Sequence, residues 1–241
     1  MPQRSRRYRA MLEKAGDLAK PLPLEEAVAK LKDIASVQAA QKYKGARNRK
    51  PFDQTVELVM HLGIDPKQAD QAVRGSVSLP RGIGATKKVI AFCAPEMVDA
   101  AKAAGAIDAG ADDLIAKVTG GWTDFDVAVA HPQLMGKVGK LGRILGPQGK
   151  MPSPKSGTVT ADLMTAIKEY SAGKVEYRND DGGNVHAVVG KVSFEPAALK
   201  ENIEAFVAHI RKVKPATAKG QYVRKVVLTA TMTPGVLCEL A

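Results

Sequence analysis

The chain has 241 residues, 45% of them hydrophobic, and its 36 Lys and Arg outweigh 25 Asp and Glu to give a formal charge of +11. That is enough apolar material for one large or two modest buried cores. No run approaches the roughly eighteen uncharged apolar residues of a membrane helix, and the basic start "MPQRSRRYRAML" lacks the apolar stretch of a secretory signal.

The charge is distributed in blocks. Residues 1–50 hold 13 basic and 5 acidic side chains, 89–136 hold 2 and 7, 137–155 hold 5 and none, and 211–241 hold 6 and 1. Concentrated basic segments are the footprint of a polyanion binder, because each neutralised phosphate releases counterions. Cys93 and Cys238 stand too far apart to suggest a disulfide framework or a zinc site, and Cys93 in "VIAFCA" reads as a buried thiol. A reducing cytoplasm fits.

In chain order, "PLPLEEAVAKLKDIA" predicts a helix, with Pro23 at its start and Leu24, Ala27, Val28, Leu31 and Ile34 on one stripe. Residues 36–51, basic and broken by Gly45 and Pro51, predict an exposed linker. "FDQTVELVMHLGI" alternates, so Val56, Leu58, Met60 and Leu62 face a core while Thr55, Glu57 and His61 face out. The acidic middle then alternates the apolar runs "KKVIAFCA" and "DVAVA" with the helical "PEMVDAAKAAGA" and "ADDLIAKVTGG". That pattern predicts βα units around a parallel sheet.

After it, "ADLMTAIKEYSAG" predicts a helix, and "KVEYRND" and "VHAVVGKVSF" predict a hairpin closed by Asp-Gly-Gly-Asn. A long helix follows, with Leu199, Ile203, Phe206, Val207 and Ile210 inward, and then the strand "QYVRKVVLTATM". The expected fold class is α/β with two domains. Residues 1–79 and 173–241 form a discontinuous α+β domain, and 80–172 form an inserted Rossmann-like α/β domain. The Gly- and Pro-rich stretches 80–84 and 146–157 would then serve as hinges.

The enzymatic motifs fail on the residues their chemistry needs. "KLGRILGPQGKMPSPKSGTV" offers Gly149–Lys150 to a P-loop, but Met151 has no hydroxyl for magnesium and Ile144 stands where a glycine belongs. "GIGATK" has Lys87 at the third glycine position and precedes a strand instead of following one. His61, His131, His186 and His209 show no metal-site spacing, and "RNDD" runs into a Gly-Gly turn where Asp commonly bonds locally. No catalytic residue, cofactor or metal is expected. Aromatics are only 5% of the chain, which favours a folded nucleic acid met through shape, phosphate and sugar over a base-stacking platform.

Four stretches carry a resemblance: "FDQTVELVMHLGIDPKQADQAVRGSVSLPRGIG", "LGRILGPQGKMPSPKSGTV", "EYRNDDGGNVHAVVGKVSF" and "ATAKGQYVRKVVLTATMTPGV". On these the chain resembles the bacterial ribosomal protein L-one family from about residue 52 to 236. The resemblance implies a non-enzymatic, cytoplasmic constituent of the large ribosomal subunit, monomeric when free. Its partners would be the stalk rRNA, the exit-site tRNA whose deacylated form it helps to release, and its own mRNA, which it represses. A stand-alone RNA-binding translational regulator is the alternative.

The RNA-binding residues it implies are Phe52, Thr55 and Glu57, then His186, Gly190, Lys191 and Ser193, then Thr231, Met232 and Thr233, the last standing where the family has glycine. Lys50, Arg143, Lys150 and Lys155 are weaker candidates from the basic segments. The linker 36–51 is longer and more basic than the family's usual connection and is expected to add phosphate contacts.

Overall fold

The structure, a computed structural model, describes residues 5–40 and 52–239, without the side chains of residues 38–40 and 69. In chain order the elements are α1 (Arg6–Ala15), α2 (Leu24–Ala40), β1 (Thr55–Leu62), β2 (Arg74–Val77), β3 (Val89–Phe92), α3 (Val98–Ala103), β4 (Asp108–Gly110), α4 (Asp112–Thr119) and β5 (Val127–Ala130). There follow α5 (Met135–Val138), α6 (Gly142–Leu145), α7 (Leu163–Ser171), β6 (Val175–Arg178), β7 (Asn184–Lys191), α8 (Pro196–Lys212), β8 (Val223–Ala230) and β9 (Val236–Cys238). Two compact units emerge: Met1–Val73 with Leu79–Gly84 and Tyr177–Ala241, and Arg74–Ser78 with Ala85–Glu176.

The first unit is built on an antiparallel sheet in the order β7-β1-β8-β9. Alternation decides its faces. Val56, Leu58, Met60 and Leu62 are buried, and Val226, Leu228 and Ala230 of β8 join them. Helices α2 and α8 pack against the sheet, and α8 brings Leu199, Ile203, Phe206, Val207 and Ile210, all buried. Burying each such side chain contributes on the order of 1.5–3 kcal/mol. Asn202, also fully buried, is satisfied: its Nδ2 donates to Val189 O at 2.8 Å and Gly82 O at 2.9 Å, and its Oδ1 accepts from Arg81 N at 3.0 Å.

The second unit has a parallel sheet in the order β4-β3-β5. Both of its faces are covered, which is why β3 and β5 read as unbroken apolar runs. Val89, Ala91 and Cys93 share a core with Leu163, Ile167 and Tyr170, while Ile90 and Phe92 pack with Leu114, Val118, Val138, Leu141 and Leu145.

Several expectations need correction. The predicted linker begins late, because α2 continues to Ala40. Nothing from Ser36 to Ala40 breaks a helix, and residues 41–51, with Lys50 among them, lie outside the described residues. The predicted hairpin is a turn without a long ladder. Asn179 bridges Val185, but β6 pairs with β2 and β7 pairs with β1. Helices α1, α5 and α6 and strands β2, β4 and β9 are additional to the sequence reading. The stretch 146–157 lies wholly inside the second unit, away from a crossing, whereas 80–84 ends the segment Leu79–Gly84 of the first unit, directly before the chain enters the second at Ala85. It is tied to α8 by Asn202 and by an Arg81–Glu201 ion pair at 2.6 Å.

Candidate nucleic-acid interface

The outward face of the first unit's sheet carries Thr55, Glu57, Val59 and His61 of β1, none of them buried. Opposite them on β7 stand Lys191, Val188, His186 and Asn184, and on β8 stand Thr229, Val227 and Lys225. A bulge sits near the start of β1, where Val56 faces Gly190 but Glu57 faces Val188. Bulges bend a strand and re-aim the side chains beside them. Here the bend lies beside the most tightly bonded group on the face.

That group is at the end of the sheet. Lys191 Nζ donates to Thr55 Oγ1 at 2.7 Å. Thr55 N donates to Thr231 Oγ1 at 3.0 Å, and Thr231 N donates to Thr55 O at 3.1 Å. Beside it, Ser193 donates twice to Asp53, from N at 3.1 Å and from Oγ at 2.6 Å. Met232 N donates to Oε1 of Gln54, a buried amide, at 3.2 Å. Thr233 closes the turn: its Oγ1 accepts from Ala230 N at 2.9 Å and its N donates to Ala230 O at 3.0 Å.

Seven of the sequence-derived candidates therefore meet at one end of the sheet: Phe52, Thr55, Lys191, Ser193, Thr231, Met232 and Thr233. Phe52 and Met232 are half exposed, at 52% and 49%, although a large apolar side chain is ordinarily buried. The arrangement offers one cation, held by the Thr55 hydroxyl, several hydroxyl oxygens with spare lone pairs and two apolar surfaces. Such a set suits ribose hydroxyls, a phosphate and a flat sugar face.

The remaining candidates are placed elsewhere. Glu57 points outward one row along, opposite Thr229. His186 faces Val59, four residues along β1 from Thr55, and its Nε2 lies 3.5 Å from Asp180 Oδ2. Hydrogen bonds from the Asn184 side chain and from the Asn184 and Gly182 amides pull the Asp180 carboxyl down to about 2. Gly190 is buried, and a Cβ there would lie 2.9 Å from Leu199 Cδ2, so its contribution is close packing.

Arg143, Lys150 and Lys155 belong to the other unit. Arg143 and Lys155 are exposed. Lys150 is occupied: its Nζ donates to Thr123 O at 2.9 Å and lies 5.2 Å from the Phe125 ring centre. The rest of that stretch is a packed knot. Thr158 Oγ1 accepts from Ser153 N at 2.8 Å, Ser156 and Thr158 are buried, and the Tyr170 hydroxyl donates to Ser156 O at 2.7 Å. Asp53 and Gln54 escaped the sequence reading. Their only signal was adjacency to Phe52 and Thr55, since an acid and an amide in a basic protein suggest no phosphate contact. Among the described residues no group of His, Cys, Asp and Glu could hold a metal ion.

The family model for the ribosomal protein L1p/L10e family matches residues 40–234. The chain belongs to this family. Among its relatives, the large ribosomal subunit protein uL1 of Kosmotoga olearia is 47% identical over 236 residues, covering 98% of this chain and 96% of the relative. The uL1 of Protochlamydia amoebophila is 47% identical over 240 residues, 100% of this chain and 96% of the relative. The uL1 of Bifidobacterium longum is 47% identical with 98% and 96% covered. Within this L1p/L10e chain the matched span includes both strands of the Thr55–Lys191 pair and the Thr231–Met232 turn.

Proposed function

We propose that this chain is a structural, non-enzymatic constituent of the large ribosomal subunit in the cytoplasm. It binds stalk rRNA through the sheet end that carries Thr55, Lys191, Ser193 and Thr231. The observation that carries the reading is the bonded trio of Thr55, Lys191 and Thr231, which presents a cation and hydroxyl oxygens beside the exposed Phe52 and Met232. The name shared by the relatives supports the subunit. The unit made from both chain ends is the RNA-holding one. On the family resemblance the chain also assists release of deacylated tRNA, and it represses its own mRNA through an element that mimics the stalk. No helix among the described residues is long and apolar enough to cross a membrane.

The test is binding of the purified protein to a transcript of the stalk segment of large-subunit rRNA, with an unrelated structured RNA of equal length alongside, across a salt series. The expected result is a preference for the stalk transcript that survives at 0.2 M salt, with a negative slope of log affinity against log salt. Equal affinity for both RNAs, or a slope near zero, overturns the proposal.

A further inference from the structure

Residues 212–225 contain Lys212, Lys214, Lys219, Arg224 and Lys225 and no acid. All five are exposed, and none takes part in any ion pair between described residues. Several cations of the other unit, by contrast, have an acidic partner. Lys88 pairs with Asp124 at 2.8 Å, Lys117 with Asp108 at 2.6 Å, Lys137 with Asp112 at 2.8 Å and Lys174 with Glu169 at 2.6 Å. Two of the five unpaired cations have a local role. Lys212 ends α8, where a cation suits the helix dipole, and Lys214 lies 6.0 Å from the Tyr222 ring centre. Lys219, Arg224 and Lys225 have no ion pair or aromatic partner among the described residues. Like charges close together in the chain without counter-charge repel one another, so an external anion is the natural partner.

The sheet determines where that anion lies. Lys225 stands opposite His61, on the same outward face of β8 as Thr229, which stands opposite Glu57. The loop before β8 is pinned to that end, because Gly63 N donates to Tyr222 O at 2.6 Å. From Thr231 to Lys225 is about 20 Å at roughly 3.3 Å per strand residue. We infer that Lys219, Arg224 and Lys225 form a second phosphate-contacting site. A nucleic acid seated on Thr55 and Thr231 then runs along the outward face of β8 to reach it. Exposed ammonium and guanidinium groups on a loop and a strand start make sequence-independent backbone contacts, so this site supplies affinity and orientation. The inference rests on the RNA-binding reading above.

The test is the double variant Arg224→Gln/Lys225→Gln, with Lys219→Gln added in a second step, measured against the stalk rRNA transcript between 50 and 300 mM KCl. The expected slope of log affinity against log salt becomes shallower by about 0.7–0.9 for each contact removed. Affinity near 0.15 M falls about tenfold for the double variant, and Arg224→Lys/Lys225→Arg restores both. Lys88→Gln, which removes a paired cation of the other unit, leaves the slope unchanged. A double variant with wild-type slope and affinity overturns this site while leaving the stalk-binding reading intact. Loss of binding to vesicles rich in anionic lipid, with RNA binding unchanged, overturns it in favour of a membrane surface. A wild-type protein without affinity for the transcript overturns both readings.

Discussion

Lys191 and Thr55 face one another across β1 and β7, and the lysine ammonium donates to the threonine hydroxyl at 2.7 Å. The bond leaves two of the three ammonium protons and the full charge for a ligand. It also holds a side chain that otherwise loses much rotamer freedom on binding. Charge and aim thus reside in different residues, and two variants separate them.

Lys191→Met removes the charge, so affinity for the stalk transcript falls and the salt slope becomes shallower by about 0.7–0.9. Thr55→Val keeps the charge but releases it. Affinity then falls about two- to tenfold, the worth of one hydrogen bond, at an unchanged slope. Filter binding across a salt series checks both, and a slope change in Thr55→Val would refute the division.

The turn that displays Met232 is held by Thr233 Oγ1, which accepts from Ala230 N at 2.9 Å, and by Gln54 Oε1, which accepts from Met232 N at 3.2 Å. Valine at 233 keeps the shape and loses the acceptor. Thr233→Val is expected to cost about 1 kcal/mol of stability and to weaken RNA binding severalfold with the salt slope unaltered. Thr233→Ser retains wild-type affinity. Isothermal titration of the three proteins with the same transcript decides it, and equal affinity for all three would show that the turn needs no clamp.

Asn202 is the polar centre of the first unit's core. Asn202→Ala strands two carbonyls and an amide that have no other partner among these contacts. A buried polar group left unpaired costs about 1–3 kcal/mol; the Val189 carbonyl is buried and the other two groups only partly so, and the variant is expected to lose about 2–3 kcal/mol. Urea unfolding followed by circular dichroism measures the shift in midpoint.

What was legible in the sequence was whatever periodicity or local chemistry encodes. The alternation from Val56 to Leu62 and the stripe of α8 gave the buried faces correctly, because side-chain direction follows from the backbone period. The turn at Asp180 was legible for the same kind of reason, since its carboxylate takes the Gly182 and Asn184 amides locally. The partner of β6 was not legible. Pairing with β2 is a long-range choice, and β2, β4 and β9 are three or four residues each, too short to show a period. At the candidate interface the family motifs brought Thr55, Lys191 and Thr231 to one place. They did not reveal that Gln54 and Asp53 hold the flanking turns, or that Gly190 faces Leu199. Those facts depend on side chains meeting across three strands and a helix.

Two buried phenols predict different mutational effects at neutral pH and the same effect in alkali. Burial pushes Tyr170 and Tyr222 each up to about 12, against an ordinary value near 10. The folded chain therefore holds both protons more tightly than the unfolded chain does. That stability is fully present below about pH 10 and is lost as pH rises toward 12. Phenylalanine at either position removes that residue's share of the alkaline loss. At pH 7 the two differ. Tyr170 donates to Ser156 O at 2.7 Å, so Tyr170→Phe strands a buried carbonyl and costs about 1–3 kcal/mol. The Tyr222 hydroxyl is buried and makes no hydrogen bond among the described residues, so Tyr222→Phe is expected to be neutral or slightly stabilising. The sole tryptophan, Trp122, lies in the same unit as Tyr170 and packs 5.6 Å from the Phe125 ring centre. Its fluorescence follows the Tyr170 unit, while circular dichroism follows both. Unfolding at pH 7, 10 and 11.5 is expected to show Tyr170→Phe destabilised at pH 7 with a flatter alkaline decline in fluorescence, and Tyr222→Phe unchanged at pH 7 by either probe. A Tyr222→Phe protein as destabilised as Tyr170→Phe would mean that the Tyr222 hydroxyl has a partner in solution.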